Sequence, residues 1–178
     1  GESGIPKETL GLLKELKDKT WLAINGVKNQ IKDFDIKKAT ETDLNNYLIH
    51  LPDHLHPYLS AAILNPEITK KALVEFKKQS PNIELIGTFM NAHHQVLKEL
   101  LKITVPKIDR MIEAAITAGA YGAKIVGSGG GGSIVVLAPE NKEQHIIDEI
   151  KKAGAKDAYL VSVDPGARIM NALSKAKV

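Results

Sequence analysis

Residues 124–137 read Lys-Ile-Val-Gly-Ser-Gly-Gly-Gly-Gly-Ser-Ile-Val-Val-Leu, and this stretch decides the fold. A glycine run lies between two short apolar, β-branched runs, with no polar spacer on either side. Glycine- and serine-rich stretches are typical of flexible linkers, but a linker between domains is not expected to be bounded by strand patterns. We therefore predict strands over residues 123–126 and 133–137, joined by a tight glycine connection.

Outward from this stretch, the spacing of apolar residues is helical on the N-terminal side. The clearest helix has Pro106 in its first turn and repeats apolar residues at helical spacing from Ile108. After the second strand we predict a helix over 141–153, capped by Asn141, and a strand over 158–163. The predicted N-terminal helices cover residues 6–34, 42–50 (capped by Thr40 or Thr42), 58–64, 66–78 (capped by Asn65), 83–101 and a last one from 106 to Gly119 or Gly122.

The order helices, strand, strand, helix, strand lacks only the first strand of a ferredoxin-like unit. Residues 2–5 are interpreted as the stump of that strand. We expect an α+β fold, a ferredoxin-like antiparallel sheet with additional helices, in a single domain over 1–178. Residues 1–82 form a mainly helical layer in this prediction, and residues 83–178 carry the glycine loop and the sheet. The incomplete sheet predicts an unpaired edge and self-association through it.

The composition excludes several classes of protein and site. With 24 basic and 21 acidic residues and no aromatic-basic stacking platform, nucleic-acid binding is not expected. The absence of cysteine excludes disulfides, thiolate metal sites and cysteine nucleophiles. No apolar run approaches the roughly 20 residues of a membrane span, and no signal peptide is evident. We expect a cytoplasmic protein without a membrane partner.

The glycine run itself suggests contact with an anion. Glycine enters positive-φ conformations freely, and successive amides in such a loop can form an anion-binding nest. The loop is not a Walker P-loop, because no Lys-Ser or Lys-Thr ends it and no helix begins there. It also lacks the strand-then-helix context of a dinucleotide fingerprint. Any contact with phosphate is therefore expected to be that of an accessory wall.

The histidines predict no metal site and no catalytic set. His50 and His54 have i, i+4 spacing, but Pro52 lies between them and interrupts a helix that would carry both. His93 and His94 point about 100° apart on a helix and do not face one site. Asp109, near a helix start, is interpreted as a helix-dipole and pairing residue. No serine, histidine and acid set has the context of nucleophilic catalysis.

Five segments together resemble one family. Residues 120–133 resemble the third, glycine-rich motif of the galactokinase, homoserine, mevalonate and phosphomevalonate kinase (GHMP) superfamily. Residues 87–94 look like the Met-Asn…His segment of galactokinases and mevalonate kinases, and residues 103–109 resemble their Val-Ser-x-Pro-x-Leu-Asp helix start. Residues 2–9 resemble the lead into the long helix of the C-terminal domain, and residues 163–169 its closing strand. The five matches occur in the family's order.

The resemblance implies a two-domain enzyme that transfers the γ-phosphoryl group of ATP to a substrate hydroxyl with Mg²⁺. In this superfamily the main phosphate-cradling loop and the acidic residue beside the acceptor lie in the N-terminal kinase domain. Neither is found here, so we expect no catalytic residue in this chain and no activity of the chain alone. Asn91 and His94 are implied as substrate or interface residues. The residues implied beside the nucleotide phosphates are Gly127, Ser128, Gly129, Gly130, Gly131 and Gly132.

Two features point to different branches of the family. The interval from His94 to Thr104 has the length typical of galactokinases, and that of mevalonate kinases is usually one residue shorter. Galactokinases usually carry an aromatic residue where this chain has Gly130, whereas mevalonate kinases prefer an all-glycine run. We favour a galactokinase-like sugar kinase. A mevalonate kinase domain and a non-enzymatic ferredoxin-like binding module remain as alternatives.

Overall fold

The computed structural model describes residues 1–6, 9–163 and 166. Of the predicted closing strand over 163–169, only residues 163 and 166 lie within this range. Short 3₁₀ turns at Glu41–Asp43 and Asp53–Leu55 and a π-helical turn at Val96–Leu100 occur between the main elements. The helices are α1 Thr9–Gln30, α2 Leu44–Leu48, α3 His56–Phe76, α4 Ile83–Gln95, α5 Pro106–Thr117 and α6 Glu143–Lys152, and the strands are β1 Gly122–Ile125 and β2 Ile134–Leu137.

The sheet confirms the two predicted strands and the glycine connection between them. β1 and β2 are antiparallel, with Gly122 opposite Leu137 and Ile125 opposite Ile134. On the other side of β2, the N-terminal segment takes the place of the predicted stump, because Glu2 forms antiparallel bridges with both Ser133 and Asp157. The arrangement is an α+β fold with the ferredoxin-like antiparallel sheet and additional helices that the sequence predicted.

The strand predicted over residues 158–163 is wrong. The chain pairs with Glu2 at Asp157, and residues 158–163 then continue without regular structure. Leu160 and Val161 are 70% and 68% exposed. A strand requires a hydrogen-bonding neighbour, and among the described residues the backbone bonds of Glu2 reach only Lys156 and Asp157. The β-branched pattern of this segment is therefore present without the ladder that it predicts.

The break predicted before Pro66 is also wrong. α3 runs without interruption from His56 to Phe76, with Pro66 inside it, and Asn65 is an interior residue rather than a cap. An interior proline costs a helix about 3 kcal/mol, so the helix must be stabilised from elsewhere. Leu59 and Ile63 are almost completely buried before the proline, and this tertiary burial outweighs the local signal.

The remaining helix boundaries differ from the predicted ones by a few residues. α1 ends at Gln30, four residues before the predicted end at Phe34. The predicted helix over 42–50 divides into a 3₁₀ turn and the short α2, and Thr40 is the cap at its start. α6 begins at Glu143, because Asn141 has φ +67° and belongs to the preceding turn instead of capping the helix.

Two hydrophobic clusters lie on either side of α4. The first is formed by α5, α6 and the two strands, around Ile108, Met111 and Ile125. The second joins α1 to α3 and their connections, around Val27 and Leu59. Helix α4 packs against both α3 and β1, and it therefore links the helical layer to the sheet. Within the described ranges, no helix combines the length and the apolar character needed to cross a membrane.

Candidate functional site

The glycine loop between β1 and β2 adopts a conformation that other residues resist. Gly127, Gly129, Gly130 and Gly132 have φ between +72° and +83°, and Gly131 has φ +138°. The left-handed region costs an L-residue about 1–2 kcal/mol. Five such positions in six residues explain why this connection is made of glycine.

The loop is fixed by hydrogen bonds to two separate segments of the chain. The Gly130 N–H donates to the Ile103 carbonyl at 2.8 Å, and the Gly132 N–H donates to the Ile5 carbonyl at 3.0 Å. A Cβ on Gly129 would lie 2.4 Å from the Ile103 oxygen, and one on Gly131 would lie 2.8 Å from the Ile5 oxygen. The loop therefore rests directly on backbone, as a tight connection, and does not behave as a linker.

The donors of this loop fit an anion. Within the described part of the chain, the backbone N–H groups of Ser128 and Gly131 have no protein acceptor, and Ser128 adds a hydroxyl. Unpaired amides in a positive-φ loop are suited to phosphate oxygens. The loop itself carries no carboxylate, so it offers oxygen ligands for Mg²⁺ only through backbone and hydroxyl groups.

The support under the loop was not predicted from the sequence. The π-helical turn at Val96–Leu100 ends α4, and the Ile103 N–H donates to the Leu97 carbonyl at 3.1 Å. Lys102 has φ +52°, an uncommon conformation for a residue other than glycine. The chain thus turns back sharply so that Ile103 lies under the loop. The only sequence signal was the length of the interval after His94.

Asn91, on α4, binds the backbone of β1. Its side-chain N–H donates to the Tyr121 carbonyl at 3.2 Å, and its Oδ1 accepts from the Ala123 N–H at 2.9 Å. Gly87 and Gly122 allow this approach, because a Cβ on Gly122 would lie 2.2 Å from the Gly87 oxygen. The structure therefore places Asn91 at the contact between α4 and the strand that leads into the loop.

His94 lies one turn further along α4 and is 3% exposed. Its Nε2 lies 3.9 Å from Oδ1 of Asp109, and the Lys98 Nζ lies 3.8 Å from the other carboxylate oxygen. Burial lowers the pKa of His94, against the opposing effect of Asp109. His94 Nδ1 and Asp109 Oδ1 have no hydrogen-bond partner among the described residues. The buried His94 and the partly exposed Asp109 thus form a polar pair between α4 and α5.

The other histidines do not assemble into a site. His93 is separate from the pair, and its pKa is lowered by burial and by Lys124. His56 Nε2 lies 2.9 Å from the Leu51 carbonyl oxygen, whereas His50 and His54 are exposed. Across residues 1–6, 9–163 and 166, the structure contains no group of three or more His, Asp or Glu residues suited to hold a metal ion.

The family comparison identifies the segment that carries this site. Residues 69–156 match the family described as GHMP kinases C terminal. The chain carries a GHMP kinase C-terminal domain. The match contains the Met-Asn…His segment, the start of α5 and the glycine loop, and it confirms the resemblance noted in the sequence.

Relatives of this GHMP domain come from two branches of the superfamily. The mevalonate kinase of Thermococcus gammatolerans is 34% identical over 119 residues, which is 67% of this chain and 35% of that enzyme. The galactokinase of Mycobacterium bovis is 33% identical over 73 residues, 41% of this chain and 20% of that enzyme. This GHMP chain therefore spans about a third of the length of the mevalonate kinases that it matches.

Solved structures of GHMP kinases show the same fold. Lactococcus lactis galactokinase, complexed with galactose, has a TM-score of 0.78 at 20% identity, over 85% of this chain and 39% of that protein. The L. major mevalonate kinase complexed with R-mevalonate has a TM-score of 0.55 at 17% identity, over 89% of this chain and 38% of that protein. The fold is therefore that of the C-terminal part of both enzymes.

Proposed function

We propose that this chain is the C-terminal domain of an ATP-dependent small-molecule kinase that phosphorylates a sugar hydroxyl. The observation that supports it most directly is the glycine loop, which is fixed on the Ile103 and Ile5 carbonyls and keeps amide donors at Ser128 and Gly131. Family membership supplies the reaction class. In this proposal residues 1–178 form one domain, 1–82 its helical layer and 83–178 the part with the loop and the sheet.

In this proposal, Gly127–Gly132 forms a wall beside the nucleotide phosphates. Bound ATP supplies the transferred phosphoryl group, and Mg²⁺ neutralises charge on its phosphates. The contribution of this chain is to donate backbone N–H groups to phosphate oxygens and to exclude water from one side of them. Because the loop has no carboxylate, the metal ligands and the group that accepts the hydroxyl proton are proposed to lie in the N-terminal kinase domain. A kinase that uses ATP is expected in the cytoplasm.

A sugar is favoured as the acceptor by the connection after His94. The sequence interval from His94 to Thr104 has the galactokinase length, and the structure accommodates it with a π-helical turn at Val96–Leu100. A π turn holds one more residue than an α turn, so an interval one residue shorter is expected to continue as α-helix. Mevalonate is the second candidate, because mevalonate kinases align with more of this chain than galactokinases do. The family match gives no support to a non-enzymatic module.

The N-terminal kinase domain is the proposed partner, and the open edge of the sheet is a second contact surface. A groove of about 320 Å³ lies between β2 and residues 158–161, with Ile146 and Ile150 of α6 beside it. We propose that this edge supports self-association of the isolated chain. A chain that stays strictly monomeric in light scattering at high concentration would contradict this part of the proposal.

The test compares the two-domain parent enzyme with this chain alone. ATP-dependent phosphorylation of galactose, related sugars and mevalonate is measured for both. We expect turnover of a sugar by the parent and none by the chain. Turnover of mevalonate alone would replace the sugar assignment, and turnover of neither would contradict the kinase assignment. Replacement of Gly129 or Gly131 by Val in the parent is expected to reduce turnover strongly, because valine resists positive φ and blocks the approach of backbone.

A further inference from the structure

The position of the glycine loop depends on a ten-residue connection between α4 and α5. Within it, the Ile103 N–H donates to the Leu97 carbonyl at 3.1 Å, and the Ile103 carbonyl accepts from the Gly130 N–H at 2.8 Å. Ile103 is itself 5% exposed, so the neighbouring core restricts its movement. Because a Cβ on Gly129 would already lie 2.4 Å from the Ile103 oxygen, a small shift of Ile103 must move the loop.

One polar pair, formed by a buried histidine and a partly exposed aspartate, joins the two ends of this connection. His94 lies in the last turn of α4, and Asp109 lies in the first turn of α5, where its N–H donates to the Val105 carbonyl at 3.1 Å. Their side chains approach to 3.9 Å, and Lys98 neutralises the outer carboxylate oxygen from 3.8 Å. The pair therefore closes a loop of chain whose middle carries Ile103.

Stability alone does not explain this pair. His94 Nδ1 and Asp109 Oδ1 are buried and have no hydrogen-bond partner in the part of the chain that the structure describes. A buried polar pair with unused donors and acceptors stabilises a fold less than an apolar pair of similar volume. Asp109 lies 3.9 Å from His94 and 3.8 Å from Lys98, so its charge, and not a hydrogen bond, joins α5 to the end of α4. The pair therefore serves to set the distance between α4 and α5.

We infer that His94 and Asp109 are positioning residues: they fix the spacing of α4 and α5, hold Ile103 in place, and so set the position of Gly129 and Gly130. The consequence for catalysis depends on the proposed function, since it assumes that the loop lies beside the nucleotide. Neither side chain touches the loop, so both act through Ile103. The pair is therefore expected to affect nucleotide use more than acceptor use.

Amide hydrogen exchange in the 178-residue chain tests the positioning directly, without any activity. His94→Gln and Asp109→Asn keep side-chain size while weakening the pair. We expect the amides of Ile103 and Gly130 to exchange about tenfold faster in both variants, because the connection between α4 and α5 opens locally more often. Amides of α1 and α3 should be unchanged. His93→Gln, at the adjacent and partly buried histidine, is the matched control and should leave Gly130 unchanged.

Three results would overturn the inference: unchanged exchange at Gly130, an equal increase in His93→Gln, or a uniform increase across the chain. Where Asp109→Asn fails to fold, Lys98→Met perturbs the same carboxylate from its more exposed side, and the same increase at Gly130 is expected. In the proposed two-domain enzyme, His94→Gln and Asp109→Asn should raise KM for ATP several-fold with little change in KM for the acceptor. Faster exchange without any kinetic change would support the positioning and contradict the proposed role of the loop.

Discussion

Alanine at Gly129 and at Gly130 should have different effects, although the two glycines have similar backbone conformations. Their φ angles are +83° and +72°, and each alanine therefore costs about 1–2 kcal/mol of backbone strain. At Gly129 the new methyl group would also lie 2.4 Å from the Ile103 oxygen and 2.9 Å from its Cβ. At Gly130 its nearest neighbour would be Leu12 Cδ2 at 3.8 Å, an ordinary contact.

The expected magnitudes follow from these distances. Overpacking against backbone costs about 1–3 kcal/mol, so Gly129→Ala should lower the free energy of unfolding by about 2–5 kcal/mol and Gly130→Ala by about 1–2 kcal/mol. Denaturant unfolding of the chain, followed by circular dichroism, measures the difference, provided that the m-value is unchanged. In the two-domain enzyme, Gly129→Ala should also reduce turnover more than Gly130→Ala.

Equal destabilisation by the two alanines would refute the reasoning. It would show that the loop moves away from Ile103 at no cost, so that the Gly130–Ile103 hydrogen bond does not fix it. Loss of stability at Gly130 alone would refute it as well.

The contact between α4 and β1 and the buried histidine give three further predictions, the first with Gly11→Ala in α1 as its control. Gly87→Ala should destabilise the chain by about 1–3 kcal/mol in thermal melting, since its Cβ would lie 2.4 Å from the Tyr121 carbonyl; Gly11→Ala, with nothing within 4 Å, should stabilise α1 by up to about 1 kcal/mol. Asn91→Leu should lower the free energy of unfolding by about 1–3 kcal/mol for each backbone group left unpaired, and urea unfolding measures this as a lower midpoint. An unchanged midpoint would contradict the bonds of Asn91 to β1. Because burial lowers the pKa of His94, the folded state binds fewer protons than the unfolded state, so stability should fall as pH drops below about 6.5, with a shallower slope in His94→Gln.

The sequence predicted the strands and the loop correctly because both signals are local. β-branched runs and a glycine run with positive φ are properties of neighbouring residues. The errors occurred where distant residues decide the outcome. Pro66 is a strong local signal for a helix end, and it was overruled by the burial of Leu59 and Ile63. The segment over 158–163 has a strand pattern but pairs only at Asp157.

The site was predictable in part for the same reason. The loop residues were predicted from their composition, and Asn91 and His94 through a motif; their roles stay predictions. The role of Ile103 depends on the π-helical turn and on a positive φ at Lys102, and neither has a recognisable sequence signature. Asp109 was correctly interpreted as a pairing residue, but its partner His94 lies 15 residues away in the sequence, as the numbering shows.

The loop is held from two sides that differ in how firmly they are fixed. Gly130 binds Ile103, which is buried and whose connection is closed by the His94–Asp109 pair. Gly132 donates to Ile5 and accepts from the Ser3 N–H, and the segment that carries both is held by the Lys107 side chain and by backbone bonds at Glu2. A side held by core packing shifts less than one held by a few backbone bonds at a sheet edge. In the proposed kinase, we therefore expect the Gly129–Gly130 side to stay fixed and the Gly131–Gly132 side to be the one that adjusts to a nucleotide.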